Sequence, residues 1–326
     1  TIFYAAEYAR LHKTYFPAEK SVRSRKKLEN AARWIYNALI KGVIFMVTLS
    51  NGKLTVEISE KGAEMKRITL DGKERLWNGD PAYWTGTAPV LFPVCGGLPD
   101  DKFTYGGKEY TLKKHGFARH MMFEVEKVSG ISAVFLLKSS EETIKMYPWD
   151  FELRVSYTLR GTAVKIGYEV KNLSDGNMYA SIGAHEAYAC PDGIENYDVI
   201  FEKKETLDAC ELDGNLISEK TRRIITDTDT LPLYTEFFAV DALVFKSLKS
   251  RFATLRNRVT GESVSVEFGG FDYFLIWTKP GAGYICLEPW AGIPPMKGAG
   301  NSIEEKEGIN RVPAGGRLEL THTVYF

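Results

Sequence analysis

The stretch from residue 151 to residue 170 reads FELRVSYTLRGTAVKIGYEV, and its apolar and polar side chains alternate along most of its length. An alternation with a period of two is typical of β-strands, whereas the apolar side chains of helices recur every three or four residues. The stretch therefore predicts two strands. The alternating apolar residues are Phe151, Leu153, Val155, Tyr157 and Leu159, followed by Val164, Ile166, Tyr168 and Val170.

The same alternation recurs along most of the chain from Met46 onward. Turn-forming pairs such as Asn51-Gly52 and Asp213-Gly214 separate the alternating segments. Many short strands at regular spacing, over about 280 residues, predict an all-β fold with one large β-sandwich domain at 46–326. The further alternating segments are 54–58, 264–268 and 318–326.

Helical patterns are confined to the N-terminus and to two short segments. Residues 20–40 have apolar intervals of three and four, which predicts a helix within a basic extension at 1–45 that lies outside the fold. We interpret this extension as sequence translated ahead of a true start at Met46 or as a poorly ordered leader, with a basic targeting segment as the alternative. Short helices are also predicted at 139–146 and after Ser302, where a Ser-x-x-Glu capping box begins.

Charge and cysteine content argue against several classes of protein. The 326 residues have no net charge, and nine of the 42 basic but only three of the 42 acidic residues lie in 1–45, so the main body is mildly acidic. This argues against nucleic acids and anionic membranes as partners. The four cysteines form no Cys-x-x-Cys pair, which argues against a zinc site and favours reduced thiols in a cytoplasmic protein. No apolar run has the length of a transmembrane helix, and no secretory signal is recognisable.

The segment Tyr-Ile-Cys-Leu-Glu-Pro-Trp at 284–290 places a carboxylate, that of Glu288, inside an apolar strand. A buried carboxylate is costly unless it is paired or used, and burial raises its pKa towards the range of a general base. Glu288 is therefore the first candidate for a catalytic base. Pro289 and Pro295 are predicted to frame a stiff loop that holds Trp290 beside it.

Two histidines lie among small and aromatic residues. His115 stands in Lys-His-Gly-Phe-Ala-Arg at 114–119, where a turn would present it and Arg119 to a cleft. His185 stands in Gly-Ala-His-Glu-Ala-Tyr at 183–188. Two imidazoles and a carboxylate among aromatic rings suit a sugar site. A carboxylate can take a proton from a hydroxyl, an imidazole can give one to a ring oxygen, and aromatic rings stack on sugars.

Several of these residues also have a purely structural interpretation. His115 could be a surface residue of a loop, and His185 could end a strand and pair with Glu186 on the surface. Asp241 lies within an apolar stretch, where it could bind a hydroxyl or occupy a turn or an edge. His322 lies on the apolar face of the last strand, which predicts a core histidine with one hydrogen bond.

In their order along the chain, these motifs resemble those of the aldose 1-epimerases (mutarotases). The resemblance covers essentially 46–326, and it implies a galactose-mutarotase-like β-sandwich with an open sugar-binding cleft on one sheet. The motifs that carry it are His-Gly-Phe-Ala-Arg at 115–119, Tyr-Pro-Trp-Asp-Phe at 147–151, the histidine at 185, Asp-Ala-Leu-Val-Phe at 241–245 and Leu-Glu-Pro-Trp at 287–290.

The resemblance also implies a role for each candidate residue. Glu288 would take the proton from the anomeric hydroxyl, and His185 would protonate the ring oxygen, so that the ring opens and recloses as the other anomer. His115 would hydrogen-bond the sugar and help to polarise its reacting end. No metal or organic cofactor is needed, because the reaction consists of two proton transfers. The residues implied in substrate binding are Asp241 for a hydroxyl, Trp290, and Arg119, which would orient the loop of His115 or reach a substrate oxygen.

Two departures from the family pattern bear on the substrate. Glu186 stands where the family often has Pro or Asn, so the charge around His185 would differ. The hexose-6-phosphate mutarotase branch usually has an Arg before a Gly-Gly-x-Pro segment, whereas this chain has Gly-Thr-Ala-Pro at 86–89. The missing Arg favours a free aldose, although Lys113 and Lys114 could compensate for it.

The expected protein is thus a cytoplasmic isomerase that interconverts the anomers of a free aldohexose, with a small sugar as its partner. Two alternatives stay open, a hexose-6-phosphate mutarotase and a non-catalytic carbohydrate-binding sandwich that keeps the cleft. A glycosidase, with Glu288 and Asp241 as its two carboxylates, ranks last because it would leave the two histidines unexplained.

Overall fold

The computed structural model describes residues 45–326. The helix predicted at 20–40, and the rest of the predicted extension up to residue 44, lie outside the described residues. Within 45–326 the chain forms twenty-two strands and one α-helix, joined by turns and short 3-10 segments. No helix in this range is long and apolar enough to cross a membrane.

The elements are short, as the spacing of the turn-forming residues predicts. The strands are β1 (Met46–Ser50), β2 (Leu54–Ser59), β3 (Met65–Leu70), β4 (Lys73–Glu74), β5 (Lys102–Tyr105), β6 (Lys108–Thr111), β7 (Glu124–Val128), β8 (Ser132–Lys138), β9 (Phe151–Arg160), β10 (Ala163–Asn172), β11 (Met178–Ala180), β12 (Ile182–Gly183), β13 (Glu186–Ala189), β14 (Tyr197–Asp213), β15 (Leu216–Pro232), β16 (Leu243–Phe245), β17 (Phe252–Asn257), β18 (Ser263–Glu267), β19 (Tyr273–Trp277), β20 (Tyr284–Ala291), β21 (Asn310–Val312) and β22 (Arg317–Tyr325). The helix is α1 (Glu141–Met146), and the 3-10 segments are Pro99–Asp101, Ala118–His120, Ile194–Asn196 and Thr235–Phe238.

Two sheets contain most of the strands. The larger sheet has the order β12-β20-β19-β16-β14-β17-β18-β22-β10-β9-β8-β7, with β13 also on β20 and β15 on β14. A second sheet consists of β1 to β4, and β5–β6 and β11–β21 form separate pairs. One apolar cluster takes side chains from both larger sheets, for example Val56 of β2, Val155 of β9 and Leu287 of β20. The two sheets therefore share a core, and the predicted all-β fold is confirmed.

The alternating stretch at 151–170 forms the antiparallel hairpin β9–β10, which turns at Gly161. In β9 the apolar side chains are buried and the polar ones between them are all partly exposed, so the alternation in the sequence matches the alternation in burial. The helix predicted at 139–146 is also confirmed. It is α1, and the Ser140 hydroxyl caps its first turn by accepting a backbone hydrogen bond.

The helix predicted after Ser302 is wrong. Residues 302–309 form bends and turns, and Ser302 itself forms an isolated bridge with Thr104. A capping box only begins a helix where a periodic apolar face follows to be buried. Here Ile303 is followed by mostly charged residues and then Gly308, so the local signal has no tertiary support.

The stiff loop predicted around Trp290 is also wrong, because Pro289 and Trp290 both belong to β20. A proline in a strand is tolerated where its missing N–H is not needed. At this position the N–H of Ala184 donates to the Pro289 carbonyl oxygen at 3.1 Å, so the strand continues through the proline. Trp290 is therefore held by the sheet itself.

β13 begins at Glu186, and His185 directly precedes it. The side chains of these two residues lie on opposite faces of the sheet. Glu186 is buried in the core, where its Oε1 lies 3.1 Å from Nε2 of His322. The expectation that Glu186 pairs with His185 on the surface is wrong, because neighbouring side chains of a strand point in opposite directions. His322 is a buried histidine with one hydrogen bond, as predicted.

Replacing Glu186 by leucine is expected to lower the free energy of unfolding by about 3 kcal/mol, because it leaves Nε2 of His322 buried without a partner. Urea unfolding followed by tryptophan fluorescence measures the loss. The double variant Glu186→Leu/His322→Leu should recover part of it, since both buried polar groups are then removed. A single variant as stable as the wild type would contradict a stabilising role for the pair.

Candidate active site

A cleft on the larger sheet gathers residues from distant parts of the chain. Its volume is about 270 Å³, and it is lined by β19 and β20, by the β14–β15 turn and by the loops that follow β6 and precede β16. All six residues singled out from the sequence line it: Glu288, His185, His115, Asp241, Arg119 and Trp290. Further residues that line it are Trp84, Lys114, Asn215 and Trp277.

His185 and Glu288 face each other across neighbouring strands. The register of β20 with β12 continues without a shift into its register with β13. By this register His185, which lies between β12 and β13, is opposite Glu288. Directly opposed residues have Cβ atoms about 5 Å apart, and here Nε2 of His185 lies 3.4 Å from Oε2 of Glu288. The sheet therefore brings together two groups that are about a hundred residues apart in sequence.

Both groups of this pair are buried, and burial opposes a charge on either one. Burial, reinforced by the carboxylate of Asp241, raises the pKa of Glu288 well above its usual range. Burial likewise lowers the pKa of His185 to about 3. Burial therefore favours the uncharged form of both groups, in which Glu288 carries a proton and the His185 ring is neutral. The pair then holds one titratable proton, which can pass between Oε2 and Nε2 once a small side-chain movement aligns these atoms, 3.4 Å apart.

The backbone around His115 fixes the tautomer of its ring. His115 has a φ of 67°, in the left-handed region that residues with a side chain rarely adopt. The Gly96 N–H donates to Nδ1 of His115 at 3.1 Å, and burial lowers the pKa of His115 well below its usual range. A neutral ring that accepts at Nδ1 carries its proton on Nε2, so His115 offers one N–H donor.

Gly116 allows the His115 loop to pass close to the core. Its φ is also 67°, and a Cβ atom at this position would lie 2.2 Å from the carbonyl oxygen of Phe92. A glycine is therefore needed there for two independent reasons, its backbone conformation and the close approach. The requirement explains in physical terms why a glycine follows the histidine.

Lys114, Asp241 and Arg119 form a charged rim on one side of the cleft. Nζ of Lys114 lies 3.7 Å from Oδ2 of Asp241. Nη2 of Arg119 donates to the carbonyl oxygen of Lys114 at 3.0 Å, and its Nε donates to Nε2 of His120 at 3.1 Å. Arg119 thus holds the backbone next to His115, which is one of the two roles expected for it.

Tryptophan rings surround the two histidines. The ring of Trp84 stacks on the imidazole of His185 at 4.9 Å between centroids, and the ring of Trp277 meets the same imidazole edge-on at 5.5 Å. The ring of Trp290 lies 5.6 Å from that of His115, and its Nε1 donates to a backbone carbonyl. Their apolar faces exclude water from the acid–base pair and offer stacking surfaces for a ring.

Sequence reasoning did not identify Trp84 or Trp277. Trp277 follows Leu275 by two residues in β19, so it shares the face of the sheet on which Leu275 pairs with Glu288. This relationship becomes visible only when the strand pairing is known. Trp84 lies in irregular backbone between β4 and β5, where periodicity gives no signal.

The arrangement can move protons on and off the oxygens of a small polyhydroxy ligand. A carboxyl group and an imidazole that share one proton meet in the cleft, a neutral imidazole donor lies beside them, and aromatic faces enclose all three. Polar side chains at the rim can bind hydroxyl groups.

Comparisons with known proteins identify a family for this chain. The family model described as aldose 1-epimerase matches residues 46–297. The plasmid-encoded protein LacX of Lactococcus lactis subsp. lactis is 34% identical to this chain over 284 residues, which cover 82% of this chain and 94% of LacX.

Solved structures with the same fold include two from lactobacilli. A galactose mutarotase related enzyme from Lactobacillus acidophilus matches with a TM-score of 0.82 and 32% identity, over 86% of this chain and 97% of the other. A galactose mutarotase-like protein from Lactobacillus casei ATCC 334 matches with a TM-score of 0.82 and 27% identity, over 86% of this chain and 99% of the other. The predicted galactose-mutarotase-like fold is confirmed.

Proposed function

The chain belongs to the aldose 1-epimerase family, a family of isomerases, and from this premise we propose that it interconverts the α and β anomers of a free aldohexose. The observation that carries the proposal is the contact between His185 and Glu288, an acid–base pair in a cleft small enough to suit a monosaccharide. Ring opening removes a proton from one oxygen and adds one to another, so it needs both groups.

In the proposed reaction, ring opening begins with the shared proton on His185 and with Glu288 as a carboxylate. Glu288 takes the proton of the C1 hydroxyl, the O–H electrons form the C1=O bond, and the C1–O5 bond breaks with its electrons going to O5. His185 gives its proton to O5. Rotation about C1–C2 turns the other face of the aldehyde towards O5, and the reverse transfers close the ring as the other anomer. The pair therefore ends each turnover with the single proton that it held at the start.

His115 acts in this proposal as a neutral hydrogen-bond donor. A fixed N–H placed where negative charge develops on a sugar oxygen stabilises the transition state without any reorganisation. The hydrogen bond from Gly96 and the lowered pKa of His115 both favour this donor form.

The charges of the cleft favour a free sugar over a phosphorylated one. Of the described residues that line the cleft, Lys114 and Arg119 are the cations, and both already have polar partners. A phosphoryl group bound beside them would also meet the carboxylate of Asp241, which would oppose its charge. A neutral aldohexose avoids this repulsion, and its hydroxyl groups can bind Asp241.

The test is the polarimetric rate at which α-D-glucose and α-D-galactose reach anomeric equilibrium with and without the protein. We expect acceleration over the spontaneous rate in proportion to protein concentration, and a weaker effect on glucose 6-phosphate. Sugar binding without acceleration would favour a carbohydrate-binding sandwich. Acceleration of the phosphorylated sugar alone would favour a hexose-6-phosphate mutarotase.

A further inference from the structure

A cysteine lies beside the acid–base pair. Cys286 precedes Glu288 by two residues in β20, so both side chains are on the same face of the sheet. The Sγ of Cys286, a ring nitrogen of His185 and a carboxylate oxygen of Glu288 all lie within 4.8 Å of one another. Among the residues that the structure describes, these three are the one group of His, Cys, Asp and Glu side chains close enough to hold a metal ion.

The spacing of these atoms is close to that of a tetrahedral metal site. Zinc bonds of about 2.0 Å to nitrogen or oxygen and about 2.3 Å to sulfur place neighbouring ligand atoms about 3.3–3.7 Å apart. The distance of 3.4 Å between Nε2 of His185 and Oε2 of Glu288 falls within this range. The largest separation in the group, up to 4.8 Å, would have to shorten by about 1 Å for all three atoms to bind one ion.

The ligand atoms are also buried and available. Glu288 is 1% exposed and Cys286 is fully buried. Oε2 of Glu288 is buried without a hydrogen-bond partner among the described residues, since its contact with His185 lacks hydrogen-bond alignment. A buried carboxylate oxygen without a donor is a strong ligand for a cation, because binding would satisfy it.

We propose that His185, Cys286 and Glu288 form a binding site for a thiophilic divalent cation, with Zn²⁺ as the best fit, and that the bound ion inhibits the enzyme. One imidazole, one thiolate and one carboxylate are the ligand types that zinc accepts. Three protein ligands leave a fourth position for water or for a sugar oxygen. The cysteine spacing in the sequence argued against a zinc site. The proposed site instead combines Cys286 and Glu288 of β20 with His185, which precedes β13.

Inhibition follows from the identity of the ligands, and this part rests on the proposed function. A metal bond uses the lone pair of His185 and an oxygen of Glu288, so neither group can exchange protons with a sugar. The ion also occupies the space in which the C1 hydroxyl would react, so zinc and sugar should compete. Cys286 has no step in the proposed reaction and does not line the cleft, so its replacement can separate metal binding from catalysis.

Cobalt titration tests the metal site independently of activity. Co²⁺ replaces Zn²⁺ in such sites, and a thiolate ligand gives it a charge-transfer absorption in the near ultraviolet. We expect this band to saturate at one Co²⁺ per chain in the wild type, to disappear on addition of Zn²⁺, and to be absent in Cys286→Ala and Cys286→Ser. Cys190→Ser is the matched control, because Cys190 is equally buried and lies outside the cleft; it should keep the band.

Mutarotation rates then test inhibition. Saturating Zn²⁺ should lower the wild-type rate by about tenfold or more, and a chelator should restore the rate. Added sugar should raise the zinc concentration that is needed for half-maximal inhibition. Cys286→Ala should keep the basal rate and need about tenfold more zinc for the same inhibition.

Three results would overturn the proposal: no charge-transfer band in the wild type, a band that survives in both Cys286 variants, or zinc that leaves the rate unchanged or raises it. A protein that shows the cobalt band but no mutarotation would keep the metal site and would instead refute the proposed function.

Discussion

Replacing Glu288 by glutamine is expected to lower the accelerated rate of glucose mutarotation by about 10³-fold. Glutamine has nearly the same shape and can still hydrogen-bond a sugar, but it cannot accept the C1 proton at any accessible pH. Sugar binding should therefore change by only a few-fold, so that the loss appears in kcat and not in KM. Polarimetry gives the rates, and isothermal titration with a slowly reacting sugar gives the affinity.

The same substitution should not destabilise the protein. Glu288 is buried, and removal of an ionisable group from such a site relieves the penalty of burying a charge. We expect a thermal midpoint equal to or above that of the wild type. Glu205→Gln is the matched control, because Glu205 is an equally buried carboxylate that binds Ser250 away from the cleft, and it should keep the wild-type rate. A Glu288→Gln enzyme with full activity would refute the proposed base.

Replacing His185 by asparagine is expected to lower the rate by about 10²-fold or more, because O5 then lacks its proton donor. The pH profile provides a signature that a purely structural residue would not give. In the wild type the rate requires a single proton on the His185–Glu288 pair, and a second proton is added only as the pH falls towards about 3, the lowered pKa of His185. The fall in rate on the acid side should therefore come well below pH 6.5, the ordinary histidine value, as the pH approaches about 3.

On the alkaline side of the pH profile, activity is lost by removal of a proton from the pair and not by addition of one. The pair loses its only proton as the pH rises through the raised pKa of Glu288, so activity declines above the usual range of a glutamate. In His185→Asn the residual rate depends on an unprotonated Glu288 alone, so it should fall as the pH drops through the raised pKa of that carboxyl. The spontaneous rate, which is itself acid- and base-catalysed, must be subtracted at every pH. An acid limb centred near pH 6.5 in the wild type would mean that His185 is not desolvated as described.

The sequence allowed the fold class and the candidate residues to be predicted because these depend on local signals. The alternation at 151–170 specifies its own strands, and a carboxylate inside an apolar strand draws attention to Glu288 whatever its partner is. His322 was predicted correctly for the same reason, since its neighbours two residues away on either side are apolar.

What could not be predicted depends on strand pairing across the sheet. The partner of Glu186 is His322, more than a hundred residues away, and no local pattern indicates that contact. The same is true of Trp277 beside His185 and of Cys286 beside the acid–base pair, because both relationships exist only through the register of β20 with its neighbours. Ser302 shows the reverse case, in which a clear local signal did not start a helix because no periodic apolar face follows it.

The segment at 181–188 contributes side chains to the cleft from one face and to the core from the other. This limits where substitutions can alter the substrate preference of the enzyme. All residues of the segment are buried, with His185 directed at the cleft and Glu186 at the core, so no position in it can vary freely. New substrate preferences must instead arise in the loops that surround the cleft, where Lys114, Asn215 and Asp241 line the cleft from backbone outside the strands. Mutant libraries aimed at other sugars should randomise these three positions and leave the strand unchanged.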